Sequence, residues 1–549
     1  MSSFADLAIV GARVRTLDHR RPFATAVAVR DGTIFEVGDD DAVRERCDAN
    51  TQTIDARGAT VVPGLIDAHQ HPVWGAEASQ GANLNGLKTL DEVRRALAEE
   101  RARRDEGEWV QGFGLDYNVF EGLRIEGRLI ESAIGGNPAL VTFVDFHTYL
   151  ASPRALEISG ITGPRAFEGN AEIVCRDGAP TGELREIPAA AIVQGAIPEA
   201  GEQARLGWYA EALRAQNAVG ITAIHMMDGS PETHEILRRL EAEENLTTRM
   251  VAPLWIKPDT SVEEMRSLLP LRDERGRLWR GGVAKFFIDG VIDTGTAWLD
   301  EPDTSGDGTR PFWPDPAAYD AAVALFAASG FQVVTHAIGD HAVRRALDAY
   351  RAAGAAPGIR HRVEHAETLK DGELNRFVPE SVAASMQPLH MQWLRPDMSD
   401  SWSQRLGPER SARGFRIKDL LRAGATLAFG SDWPIAHYDP RLGMAWARLR
   451  RQPGAGNAEP LIPEQRLSAL EALEGYTVGA ATAVGEEDVG GRIQRGFRAD
   501  LTVLARDPVE CPADELPDLP VVLTIVEGRV VFGNAEFAWL GEDLVRGTA

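Results

Sequence analysis

The sequence predicts an α/β protein, a (β/α)8 TIM barrel with an inserted subdomain, joined to a small β-sandwich domain formed from both termini. Eight short apolar runs alternate with helix-like stretches rich in Ala, Leu, Arg and Glu. Similar strand-and-turn patterns occupy the two ends of the chain, and one gap between apolar runs is far longer than a crossover needs. These features divide the chain into 1–64 with 488–549 for the sandwich, 65–487 for the barrel and 73–219 for the insertion, a candidate lid.

The first sixty residues alternate strand-like pieces and turns: "LAIVGARVRTL", "AVAVRDGTIFEVG" and "TIDARGATVVPG". Asp31-Gly32 lies between two alternating runs and signals a hairpin, because glycine accepts positive φ. A matching pattern returns in "GRIQRGFRADLTVLARD" and "VVLTIVEGRVVFGN". One composite domain is the simplest arrangement; two unrelated β appendages are the alternative.

The candidate barrel strands are "GLIDAH", Ile221–Met227, Arg249–Ile256, Val283–Gly290, Phe331–His336, Arg360–His365, Val382–Pro388 and Ala425–Asp432. Fully apolar strands alternating with helices imply a parallel sheet with its outer face covered, and eight such units suggest a closed barrel. An open doubly wound sheet is the alternative. Roughly 145 residues separate the first two runs, too many for one βα unit. That stretch has its own helix start, a capping-box pattern from Thr89 to Glu92, and the strand-like "ALVTFVDF".

The 549 residues are 44% hydrophobic and 26% charged, an ordinary globular composition that permits a sizeable core. Eighty-two acidic against 58 basic side chains give a formal charge of -24, which disfavours nucleic acid and anionic membrane surfaces as partners. Cys47, Cys175 and Cys511 are far apart and unpatterned, so a reducing compartment fits. No apolar run reaches the roughly 18 residues of a membrane span, and the N-terminus lacks a signal-peptide pattern. A cytoplasmic protein with a small-molecule substrate is expected, and a homo-oligomer is compatible with the sequence.

Barrel enzymes place their chemistry where strands end and βα loops begin. His69 and His71 close the first run, and on a strand their side chains share a face. His336 closes the fifth run, His365 the sixth and Asp432 the eighth, while Lys285 lies within the fourth. Four imidazoles and a carboxylate at one rim are the donors that zinc or a similar first-row ion takes. Each has an ordinary reading too. His336 could neighbour a helix N-cap, Asp432 could cap the helix after it, and His361 competes with His365 but sits at its strand's start. Lys285 shares a face with Phe287 and Asp289 by strand parity. A neutral amine there can react with carbon dioxide to form a carbamate bridging two metals; a buried Lys285–Asp289 pair is the alternative.

The segments "PGLIDAHQHP", "THAIGDHA", "VEHAE", "FGSDWP" and "GGRIQRGFRADLTVLARDP" resemble the amidohydrolase superfamily. "VAKFFIDG" and "HTYLASPRALEISGIT" are similar to the branch containing N-substituted formamide deformylases. The resemblance implies one metal on His69, His71 and Asp432, and a second on His336 and His365, with carboxylated Lys285 as the bridge. One or two divalent ions per chain are implied, and the imidazole-rich ligands favour zinc over magnesium. The chain reads "DGVIDTG" where the family continues with a glycine-serine pair, a departure in the loop after Gly290 that bears on substrate preference and leaves the ligands intact.

A bound divalent ion brings the pKa of its water from about 15.7 towards about 7 and polarises a carbonyl. Asp432 is the candidate catalytic residue, taking the water's proton and passing it to the departing amine. The expected function is hydrolysis of a non-peptide C–N bond in an N-formyl, N-acyl or cyclic amide. A deaminase, decarboxylase, or ester or lactone hydrolase on the same metal site, and a non-catalytic regulatory protein keeping the barrel, are the alternatives. Trp74, Trp109, Trp298, Trp393 and Trp433 are candidates for an apolar pocket, with His147, His225 and His390 as hydrogen-bonding groups.

Overall fold

The structure, a computed structural model, describes residues 4–144, 146–167, 171–537, 539 and 544. It separates into two compact units, residues 1–71 with 210–549 and residues 72–209.

In the first unit eight parallel strands lie side by side in chain order: β1 (Leu65–Gln70), β2 (Ile221–Met226), β3 (Arg249–Trp255), β4 (Trp279–Phe287), β5 (Gln332–Ala337), β6 (His361–His365), β7 (Val382–Met386) and β8 (Thr426–Phe429). β4 starts four residues before its apolar run, because Trp279 already pairs with Met250 of β3, and it stops at Phe287 rather than Gly290. The chain after β8 returns to β1. The Asp432 amide donates to the His69 carbonyl at 2.7 Å and the His71 amide to the Trp433 carbonyl at 2.8 Å. A side chain at Gly430 would put its Cβ 2.4 Å from the His69 nitrogen, so glycine permits this approach. The sheet is therefore a barrel and not the open doubly wound alternative.

Strand parity sorts the barrel's two faces. Ala284 and Phe286 of β4, Val333 of β5 and Val363 of β6 join the main hydrophobic core. There they share a cluster with Val343, Ala346, Leu347 and Tyr350, whose i, i+3, i+4, i+7 spacing makes one face of helix Asp340–Ala353. Removing such side chains from water contributes about 1.5–3 kcal/mol for each large apolar residue. Alternate residues turn the other way: Val283 and Val334 form a small separate cluster with Met227 and Val251, and Lys285, Phe287, His336, Arg362 and Glu364 follow them in parity.

Two further sheets draw on both ends of the chain. One holds Leu7–Val10, Ala26–Arg30, Thr33–Gly38 and Gln52–Asp55; the other joins Arg13–Arg15, Phe23–Ala24 and Thr60–Pro63 to Leu501–Leu504, Val521–Val526 and Arg529–Gly533. Ile9, Val27 and Ile54 of the first share a buried core with Val61, Val503 and Ile525 of the second, so the two sheets form one sandwich rather than separate appendages. The Asp31-Gly32 turn has positive φ at both residues, 49° and 71°, as a type I′ hairpin requires.

The second unit is built on a six-stranded sheet that includes Val110–Leu115, Ala139–Phe143 and Thr148–Ala151. Its helix Leu90–Arg101 starts at a reciprocal Thr89/Glu92 capping box. Helix Glu202–Ala218 carries the chain out of this unit, and near its end the Asn217 side chain donates to the Ile221 carbonyl and to Thr248, both at 2.9 Å. Among the described residues no helix is long and apolar enough to cross a membrane.

Candidate metal centre

The rim residues sit where β1, β5, β6 and β8 end. The Nε2 atoms of His69 and His71 lie 3.3 and 3.2 Å from Asp432 Oδ1. The ligand atoms of His69, His71 and Asp432 fall within 4.8 Å of one another, and so do those of His365, His390 and Asp432. Asp432 is common to both groups. His336 belongs to neither, but its ring centroid is 4.4 Å from that of His365, which in turn is 4.6 Å from that of His69. The imidazoles are thus contiguous, and all are buried.

A carboxylate behind the rim sets the direction of His69. Buried Glu364 binds His69 Nδ1 at 2.6 Å, which leaves Nε2 facing Asp432. Glu364 is itself gripped by Arg362, at 2.9 Å from Nε and 3.0 Å from Nη2. The Arg362 guanidinium also donates to the Ala68 carbonyl, Ser385 and His225 Nδ1. Burial pushes the Glu364 carboxyl up, but Arg362, His69 and Lys285 together hold it well below the usual carboxylate range. Asp67 closes the barrel from beneath, accepting from the His69 and Ser431 amides, Gln70 and the Ser431 hydroxyl. Burial raises it to about 7, against the pull of those hydrogen bonds.

The donors are in the state that coordination needs. Burial, with Lys285 nearby, lowers His336 to about 3, and burial beside His336 and His69 takes His365 well below its ordinary value, so both rings are neutral at pH 7. Burial opposes ionisation of Asp432, yet His69 and His71 hold it well below the usual carboxylate range. His365 Nδ1 and His390 Nε2 are buried without a hydrogen-bond partner among the described residues. Buried polar atoms are ordinarily paired, and orphan nitrogens on two imidazoles grouped with a shared carboxylate are what a cation would satisfy. The residues present fit a metal ion.

Lys285 is fully buried; its Nζ lies 3.5 Å from Met227 Sδ and 4.9 Å from the Phe287 ring centroid. Burial lowers it to about 8, with Glu364 and Asp432 resisting. The alternative Lys285–Asp289 pair is not what the structure holds. Asp289 accepts instead from the amides of Trp298, Ile338 and Gly339, at 2.8 to 3.0 Å for the nearest oxygens, fixing the loops after β4 and β5. His361 stays at the start of β6, accepting from the Val333 amide and bonding the Gly354 carbonyl.

Two of the rim residues carry backbone strain. His365 has φ 72° and Asp432 φ 64°, left-handed values that cost a non-glycine residue on the order of 1 kcal/mol or more each. Each lies just where its strand ends and the chain must turn a side chain into the mouth.

The aromatic candidates divide. Trp393, 48% exposed, packs against His390 with centroids 4.9 Å apart, and Phe287 stacks on His336 at 4.5 Å and meets Trp255 at 5.0 Å. Trp298 stacks on His341 and Trp433 packs against Tyr438. Trp74, Trp109 and His147 belong to the second unit. His225 is the buried partner of Arg362. His390 enters the metal group although it closes no strand: it sits in a 3-10 turn, Pro388–Trp393, just past β7.

Residues 52–532 match the model of the Amidohydrolase family. The N-substituted formamide deformylase of Arthrobacter pascens is 29% identical over 96% of this chain and 98% of that protein. Protein LONG AFTER FAR-RED 3 of Arabidopsis thaliana is also 29% identical, over 91% of this chain and 87% of its own. The crystal structure of an uncharacterized metal-dependent hydrolase from Pyrococcus horikoshii has the same fold, with a TM-score of 0.74, 24% identity and coverage of 92% of this chain and 99% of that one.

Proposed function

The chain belongs to the amidohydrolase family, and from that premise we propose that it hydrolyses a C–N bond outside peptides, in an N-formyl or other N-acyl amide. The observation that carries this reading is the pair of donor groups sharing Asp432, His69 with His71 on one side and His365 with His390 on the other. In this reading His69, His71 and Asp432 hold the first divalent ion, with zinc the ion the imidazoles suit best. His365 serves a second, with His336 and Lys285 or with His390 completing the set. The neutral fraction that burial gives Lys285 is what carbamate formation requires.

A bound ion supplies a Lewis acid and brings water's pKa towards about 7. The chain's own groups do the rest. Asp432 turns Oδ1 to His69 and His71, and its Oδ2 lies 3.7 Å from His390 Nε2. That oxygen takes a proton from the attacking water and returns it to the nitrogen as the C–N bond breaks; the acid's remaining proton also passes to the amine, so the products leave as carboxylate and ammonium. Glu364 and Arg362 hold His69 in one tautomer throughout. Phe287, Trp255 and Trp393 offer apolar surface to the substituent on nitrogen. A small-molecule substrate and a cytoplasmic setting accord with the three free cysteines and the acidic charge.

The test is formate and amine release from a panel of N-substituted formamides, other N-acyl amides and cyclic amides, using zinc-supplied protein. Turnover of open-chain amides that is lost on chelation and restored by metal is expected. Turnover confined to esters, lactones or aminopurine-type deamination substrates would contradict the proposal.

A further inference from the structure

His390 reaches the barrel mouth from a turn rather than from a strand end. Its neighbours Leu389 and Met391 are both buried in a satellite core with Ile292, Trp402, Leu406 and Phe415. The turn is thus anchored on either side of the histidine, and Trp393 packs on the ring itself with centroids 4.9 Å apart. A ring held in this way has a set direction.

That direction is towards Asp432. His390 Nε2 lies 3.7 Å from Asp432 Oδ2 and is buried with no hydrogen-bond partner among the described residues. The gap is too long for a hydrogen bond. It is close to the roughly 3.4 Å that separates two donors on one tetrahedral ion with bonds of about 2.1 Å. Asp432 Oδ1, by contrast, stands 3.3 and 3.2 Å from His69 and His71, so the two oxygens of one carboxylate face separate imidazole groups. His365 belongs to the second group, with a ligand atom within 4.8 Å of those of His390 and Asp432. Its ring lies nearly parallel to that of His390, the planes 19° apart.

A carboxylate stands behind this ring, as Glu364 stands behind His69. Glu367 Oε1 is 3.9 Å from His390 Nδ1, and its Oε2 accepts from the Trp402 indole at 2.7 Å. Trp402 is part of the satellite core, so the acid is fixed by the same packing as the turn. A negative charge on the Nδ1 side favours the tautomer that carries its proton there and leaves Nε2 as the donor to a metal.

His336 is placed otherwise. It lies outside both donor groups, its Nε2 donates to the Gly290 carbonyl at 3.2 Å, and Phe287 covers one face of its ring.

We infer that His390 Nε2, with His365 and Asp432 Oδ2, ligates the second ion, that Glu367 is its positioning residue, and that His336 braces the loop after β4 instead of binding metal. The inference rests on the reading of the rim as a metal site and chooses between the two ligand sets left open there.

Metal stoichiometry by plasma emission spectrometry, with zinc affinities from chelator competition, tests it on full-length protein. Two ions in the wild type are expected. His390→Asn should lose the second ion or bind it at least about tenfold more weakly, and Glu367→Gln should weaken the same ion by about tenfold, both leaving the first ion's affinity unchanged. His336→Asn should keep both ions. Should His390→Asn fail to fold, Glu367→Gln, which keeps the shape and removes the charge, decides the matter. Unchanged affinities for both ions in His390→Asn or in Glu367→Gln, or loss of the second ion in His336→Asn, would overturn the inference. A wild type with a single ion that His71→Asn removes would overturn it while leaving amide hydrolysis standing on the first site. A wild type that holds no ion would overturn both.

Discussion

The sandwich and the barrel mouth are both buried, yet they are filled by opposite rules. Ile9, Val27, Ile54, Val503 and Ile525 pack the sandwich with side chains that need no partner. The barrel mouth holds His69, Lys285, His336, Arg362, Glu364, His365 and Asp432, each of which opposes burial unless something satisfies it. Arg362 and Glu364 satisfy one another, whereas His365 and His390 keep nitrogens without hydrogen-bond partners among the described residues. An interior that stabilises the fold and an interior whose donors suit a cation should respond differently to substitution.

The largest effect is expected where that difference is greatest. On the proposed mechanism Asp432→Asn removes the proton carrier and a shared ligand, so amide turnover should fall by about a thousandfold or more while the melting temperature changes little or rises. Steady-state kinetics and thermal melts on the same preparation check it. The converse variant is Ile525→Ala in the sandwich, where a cavity should cost about 2–5 kcal/mol of stability with metal content and turnover unchanged.

Acid should separate the regions further. Glu486 is partly buried between Arg280 and Arg498; desolvation pushes its carboxyl up, but the two arginines bring it down to about 2 from 4.5. A depressed carboxyl contributes stability above its unfolded value and loses it as pH falls through the folded one. The wild-type advantage over Glu486→Gln should therefore be full above about pH 4.5, on the order of 3 kcal/mol, and vanish towards pH 2. Denaturant titrations across that window measure it. The smallest effect concerns Glu364→Gln, which removes the carboxylate that orients His69. Metal affinity should drop by about 10- to 100-fold in chelator competition, with the remaining ligands still in place.

Much of this was readable in the residues. Eight apolar β-branched runs specify strands buried on both faces, and His69, His71, His336, His365 and Asp432 appear as the polar residues on which such runs end. Strand order and closure follow from those runs because sequential parallel strands with helical crossovers have few other ways to pack. Glu364 and Arg362 left a signal as well, since an acid and a base inside "RHRVEH", a predicted buried strand, need partners there. His390 left little: it stands on a turn beyond β7, where periodicity says nothing about which way a ring will face. A cavity at the end of the barrel away from the histidines is lined by Arg272, Arg280, Gln332 and Arg360, and only folding brings segments so far apart in the chain together.

Amide hydrolysis by this chain requires the rim to hold a metal ion. Diffraction from crystals of zinc-supplied protein, with data on both sides of the zinc absorption edge, tests that most directly. Anomalous density among His69, His71 and Asp432 is predicted, with a second peak near His365 if two ions bind and extra density on Lys285 if it is carboxylated. Well-ordered rim side chains with no anomalous peak between them would contradict it.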